Sequence, residues 1–289
     1  MSAMPLSGKP TGASSAVLVL YAAYLAIPIG LIILGSFGNS WSNTLLPVGV
    51  TDRWYLQLWT NGTFVKAFWT SLWVCVATVV AAALLGLPLA YAIANARSGP
   101  LSLIGRVLYL SPVAAPAVVL GFGYLLAFSS ETLPFLGAGW LTVAAHVVIC
   151  LPYLLQTLIA DLRLQGMAEL EQAAESLGAP FHRRFLDIVV PGMTHSLASG
   201  SILVAALSIG EFQLTNLIAG FLHRTYPIVL LQAFYGATGF ACAATVVLLL
   251  LAVLCLAVVT AFRILTIESH STPSERALSP LSSAGSLTP

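Results

Sequence analysis

Glu211 is the one acidic residue set well inside an apolar stretch of this chain, in SLASGSILVAALSIGEFQLTNLIAG. A carboxylate at membrane depth costs several kcal/mol unless it faces water or bonding partners. If the stretch is wound as one helix, Ser201, Ser208, Glu211 and Thr215 fall on one side, and Gln213 and Asn216 on an adjacent one. Such a stripe belongs in a bundle interior or along a route for a solute, so Ser208, Glu211, Gln213, Thr215 and Asn216 are the path candidates. Two readings of Glu211 stand side by side. In one it caps broken backbone or hydrogen-bonds another helix as a structural lock. In the other it lines the route and influences which solute passes.

The remaining reactive side chains form no catalytic set. His146 sits in an apolar run as an interior histidine, His195 lies at a helix start near the membrane surface, and His223 beside Arg224 belongs to an outer turn. Cys75, Cys150, Cys242 and Cys255 lie far apart in apolar runs without metal-ligand spacing and read as packing residues. There is no Ser/His/Asp set and no pair of catalytic carboxylates, so neither catalysis, a metal nor a cofactor is expected. The two lysines, Lys9 and Lys66, do not end a Gly-rich phosphate loop, so any ATP hydrolysis must come from a partner.

The elements that position these residues are membrane helices. Hydrophobic residues make up 58% of the 289 and charged residues 7%, whereas soluble domains carry roughly a quarter charged. A net charge of +1 with scattered basic residues gives no nucleic-acid footprint. Six stretches reach the roughly 20 residues a spanning helix needs: 16–37, 67–96, 103–128, 140–160, 197–219 and 239–263. With an inside N-terminus, Lys9, Arg97, Arg106, Arg163, Arg183, Arg184, Arg263 and Arg276 fall inside, and only Arg53, Lys66 and Arg224 outside. Both termini are therefore expected in the cytoplasm. Trp41, Trp54, Trp59, Trp69, Trp73 and Trp140 gather in or beside the outer segments, as interfacial anchors or ordinary loop packing. Pro28, Pro88, Pro112, Pro116 and Pro152 within spans imply helices that pack together. The expected organisation is an N-terminal segment 1–15, a transmembrane domain 16–265 and a disordered cytoplasmic tail 266–289 rich in Ser, Pro and Thr.

The loop 161–196 breaks the apolar pattern. MAELEQAAESLG, from Met167, is rich in helix formers and stops at Gly178, a natural left-handed terminator. Pro180 then suits the first turn of a second short helix, APFHRRFLDIVV. Phe181 and Phe185, four apart, share a face with Ile188 nearby, and Pro191 and Gly192 close the unit. Such a helix–glycine–helix lies in the headgroup region, packs beneath its own bundle, or docks a partner.

Its spacing resembles the EAA loop of permease subunits in bacterial binding-protein-dependent ABC importers. That pattern is Glu-Ala-Ala, three residues, Gly, nine residues, Ile, one residue, Leu-Pro. Here stand Gln172-Ala173-Ala174, Gly178, Ile188 and Val190-Pro191, with Gln172 for Glu and Val190 for Leu. YLSPVAAPAVVLGFGYLL, from Tyr109, is similar to the family's third span, with paired prolines before a Gly-rich helix. The loop also falls between the fourth and fifth of six spans, as in the family.

The resemblance implies an all-α integral membrane fold of about six helices, the type I ABC importer (MetI-like) bundle, in the bacterial inner membrane. It implies docking of a cytoplasmic ATPase through Glu171, Gln172, Ala173, Ala174, Gly178, Phe181, Arg183, Arg184, Phe185 and Pro191. The expected partners are two ABC ATPase subunits, a second permease subunit (homo- or heterodimer), an extracytoplasmic solute-binding protein and the lipid bilayer. Arg53, Trp54, Tyr55 and the HRTYP turn at His223 are candidate contacts for that binding protein. SIGEF resembles the fifth span in polyamine, thiamine, ferric-iron and phosphonate importers, implying a small polar or charged solute. The alternatives are a stand-alone secondary transporter driven by an ion gradient, which would need several intramembrane charges and inverted repeats, and a membrane-embedded enzyme.

Overall fold

The computed structural model describes residues 12–41, 44, 46–95, 103, 105, 107, 111, 112, 114–164 and 167–270. Most of the N-terminal segment, Arg97, Arg106, much of 103–116 and the tail from 271 on, Arg276 included, lie outside the described residues.

Among the described residues the regular structure is helical apart from one hairpin. In order the chain forms α1 (Gly12–Ser36), β1 (Gly38–Ser40), β2 (Val48–Val50), α2 (Arg53–Thr60), α3 (Gly62–Asn95) and α4 (Ala117–Phe128). There follow α5 (Gly139–Leu164), α6 (Met167–Ser176), α7 (Phe181–Gly192), α8 (Thr194–Gly210), α9 (Gln213–Ile218), α10 (Tyr226–Ala233) and α11 (Thr238–His270). Helix is the necessary choice for these apolar runs, because hydrocarbon offers the backbone no hydrogen bonds. Four helices among the described residues are long and apolar enough to cross a bilayer: 15–36, 62–95, 139–163 and 238–257. A fifth candidate is α7 with α8, bent by 66° between them. Of the expected third span, α4 is the continuous described part. The last helix continues to His270, into the segment that composition assigns to the disordered tail.

Contacts divide the chain into two units. The first comprises residues up to Val65 together with Val229–Leu249. Its hairpin pairs Gly38 with Val50 and Ser40 with Val48. Trp54 is buried against it and donates from Nε1 to the Gly38 carbonyl at 2.8 Å. Gly239 permits that packing, since a Cβ there would stand 2.3 Å from Trp54 Nε1. Tyr55 shares a 2.7 Å hydrogen bond with Ser36 Oγ, and Arg53 donates to the Asn39 carbonyl at 2.8 Å. Trp54 and Tyr55 therefore build the outer loop itself. This corrects the expectation that Trp54 contacts an outside protein, because its ring is spent on folding.

The second unit, Lys66–Ile228 with the chain from Leu250, holds the helical core. Leu154, Leu155 and Leu158 of α5 are fully buried among Ala82, Ala90, Val189 and Val204. Small residues set the spacing. A Cβ on Gly200 would meet Leu154 Cδ1 at 2.4 Å, and one on Gly121 would meet Leu217 Cδ1 at 2.6 Å and the Leu214 Cα at 3.4 Å. Close approach of this kind drives association where lipid removes the hydrophobic contrast.

Candidate functional site

The loop after α5 is a folded unit. Met167, at the start of α6, is buried against Gly192, where a Cβ would lie 1.7 Å from Met167 Cε. At the other end Gly178 adopts φ +82°, the left-handed conformation that glycine takes without a Cβ penalty. The turn satisfies the last carbonyls of α6, with Gly178 N–H donating to Glu175 O at 2.9 Å and Ala179 N–H to Ala174 O at 3.0 Å. Pro180 precedes α7 as its extended cap residue (ψ 154°) and is not in the first turn as the sequence suggested. Its carbonyl accepts the Arg183 and Arg184 N–H groups at 3.0 and 3.2 Å. The helix then widens into a π turn over Phe185–Val189, just before Pro191, which lacks an N–H for the ladder.

Tertiary contacts sort the expected docking residues into two groups. Glu171 accepts a hydrogen bond from the Tyr91 hydroxyl of α3. Arg184 Nη1 lies 2.7 Å from Glu175 Oε2, pairing the second arm of the loop with the first. Phe185 packs on the core and meets the Tyr91 ring edge-on at 5.4 Å between centroids. Ala174 and Pro191 are half-buried. These groups hold the loop in place, and Arg184 in particular is committed within it. Gln172, Ala173, Gly178, Phe181 and Arg183 are exposed. Leu177, at 89% exposure, and Leu186 join them, two apolar positions that sequence reasoning passed over. Leu177 had a signal, since it precedes the terminating glycine and so projects where the helix ends.

The polar residues of the fifth span do not share one helix. The expected helix 197–219 is broken, because α8 ends at Gly210 and Glu211 is extended (φ −71°, ψ 122°). The Glu211 carboxylate turns back onto the start of α9, accepting Leu214 N–H and Thr215 N–H at 2.9 Å each. It thereby satisfies two donors that a helix start leaves without partners. Thr215 Oγ1 also donates to Glu211 Oε2 at 2.5 Å. That hydroxyl has one proton, so it must accept from His146 Nε2, which lies 2.7 Å away. A neutral ring then carries its proton on Nε2 and accepts at Nδ1 from Ser208 Oγ, 2.8 Å away. One hydrogen-bonded chain thus runs from Ser208 through His146 and Thr215 to Glu211, joining α8, α5 and α9. His146 and Thr215 are fully buried.

Gln213 and Asn216 point away from this chain and are exposed, as are Gly210, Ala206 and Leu203. Polar side chains exposed at membrane depth require water or another protein beside them. His195 is exposed in the first turn of α8, and His223 lies beside Gly139. Among the described residues no three His, Cys, Asp or Glu side chains are grouped to hold a metal.

No family model matches the chain. It is 28% identical over 200 residues (69% of this chain, 74% of the relative) to the putative 2-aminoethylphosphonate transport system permease protein PhnV of Salmonella typhimurium. It is 26% identical over 212 residues (71% and 76%) to the spermidine/putrescine transport system permease protein PotC of Escherichia coli. Its fold matches a chain of a bacterial ABC transporter involved in the import of the acidic polysaccharide alginate, with a TM-score of 0.59, 15% identity, and coverage of 92% of this chain and all of the other. Apolar helices, a helix–glycine–helix loop in the chain and likeness to transport permeases agree on a membrane-spanning permease subunit of the ABC importer type, in the bacterial inner membrane.

Proposed function

We propose that this permease forms half of a translocation pathway for a small polar or charged solute, of the phosphonate or polyamine class, and docks its ATPase through residues 167–192. The observation that carries the docking role is the division of the loop's side chains. Glu171, Arg184 and Phe185 tie it to the bundle and to itself, while Leu177, Gly178, Phe181 and Arg183 face outward. A rigid platform with small and apolar outward residues suits a cleft on a partner. A second permease, itself or a paralogue, would face the exposed Gln213 and Asn216, which hydrocarbon alone would not accommodate. An ATPase dimer and an external solute-binding protein complete the assembly, with both termini of the chain in the cytoplasm. The solute class is supported by the two relatives' names and by the polar break in the fifth span.

The test is reconstituted uptake of spermidine and of 2-aminoethylphosphonate, with the cognate ATPase and binding protein present. Gly178→Asp places a charged side chain on the outward face and strains a left-handed residue, where nothing lies within 4 Å to clash. It is expected to abolish ATP-driven uptake and weaken ATPase co-purification while the permease still inserts. Intact co-purification and uptake would remove the docking role, and transport without any ATPase would remove the importer reading.

A further inference from the structure

We infer that Tyr91 passes movement of the docking loop to the membrane helix α3, an inference that rests on the docking role proposed for that loop. Tyr91 lies one turn before the end of α3 at Asn95. Its hydroxyl donates to Glu171 in α6, the first arm of the loop. Its ring meets Phe181 at 5.8 Å and Phe185 at 5.4 Å, both in α7, the second arm. One side chain therefore touches both arms across the Gly178 turn. The arms are themselves joined by the Arg184–Glu175 pair at 2.7 Å, while the rings of Phe181 and Phe185 stack within the second arm. A push on the outward face thus moves them together.

The surroundings of Tyr91 single it out. A cavity of about 220 Å³, lined by Tyr91, Asn95, Arg163, Met167, Glu171 and Val189, separates much of the end of α3 from α6. Across a gap the two helices cannot push on each other by close packing. The Tyr91–Glu171 hydrogen bond bridges that gap, and a carboxylate acceptor makes it strong and directional. The loop's covalent routes lead back into α5 and, through the 66° bend, on into α8, so Tyr91 links it to a membrane helix that neither route reaches. It acts as a positioning residue with no contact to solute or nucleotide.

The experiment uses the assembled permease–ATPase complex in lipid nanodiscs. Asn95→Cys, exposed beside the cavity, is labelled with a water-soluble maleimide, with and without ATP; the four native cysteines are buried. ATP is expected to change the labelling rate by about tenfold, the usual scale of a coupling between distant sites. Tyr91→Phe keeps both ring contacts and loses the hydroxyl. ATP hydrolysis is expected to continue while the nucleotide-dependent change in labelling disappears. Glu171→Leu breaks the same bond from the other side, and the double variant should lose no more than the worse single one. A purely structural role would lower the melting temperature and shift labelling equally in both nucleotide states. Wild-type nucleotide dependence in either Tyr91→Phe or Glu171→Leu, with ATPase bound, overturns the inference. Failure of the ATPase to bind the unmutated permease overturns the docking role itself.

Discussion

At the residue scale, His146 and Glu211 show how one polar pattern divides into different tasks. Both were legible as intramembrane polar groups needing partners, but the partners came from other helices. Ser208 and Thr215 bracket the His146 ring at 2.8 and 2.7 Å, and Thr215 hands the chain on to Glu211. Glu211 therefore has the capping role that was one of its two sequence readings, and any influence on the solute would be exerted from beside that cap. Thr215→Val removes the hydroxyl that both His146 and Glu211 use, leaving buried groups short of a partner. Thermal unfolding in detergent is expected to show a loss of about 1–3 kcal/mol. Thr215→Ser keeps the hydroxyl and should retain most of the stability. Equal stability of the two variants would show that the chain of hydrogen bonds is not a structural lock.

At the scale of elements, glycine decides where helices touch. Gly121 brings α4 within van der Waals reach of the α9 backbone at Leu214, 3.4 Å from a would-be Cβ. Gly121→Val is expected to force α4 and α9 apart at a cost of about 1–3 kcal/mol, measured as a lower melting temperature, because the obstacle includes backbone that cannot rotate away. Gly123, one glycine further along the same helix, has nothing within 4 Å, so Gly123→Ala should melt no lower than the unmutated protein. The same contrast explains what sequence reading missed in the fifth span. Helical periodicity assumes an unbroken helix, so the stripe reading put Glu211 in mid-helix, and the capping reading did not say which N–H groups it would bond: those of residues three and four ahead. Gly210 was the available cue, as a helix-weakening residue directly before the carboxylate.

At the scale of the whole molecule, orientation is the prediction that charge alone supports. Eight basic residues on the inside segments against three outside place both termini in the cytoplasm. A reporter that is active only outside the membrane should stay silent when fused after residue 270, and become active when fused after residue 137. The opposite pattern would invert the topology and put the loop 161–196 out of reach of any cytoplasmic ATPase. The exposed apolar side chains of α1, such as Val17, Leu20 and Tyr24, fit the same setting, since hydrocarbon is the solvent that tolerates them.

The sequence alone determined that the chain lives in a bilayer, roughly where its helices run, and that one loop breaks the apolar pattern with a spacing that resembles a partner-docking loop. These properties depend on composition, period and spacing, which are local quantities. Only the tertiary structure decided which face of the loop is free, that Tyr91 and Glu171 join across 80 residues of chain, and that the polar span breaks at Glu211. Burial and hydrogen-bond satisfaction are set by neighbours distant in sequence, and no local pattern records which of two adjacent polar residues will find one.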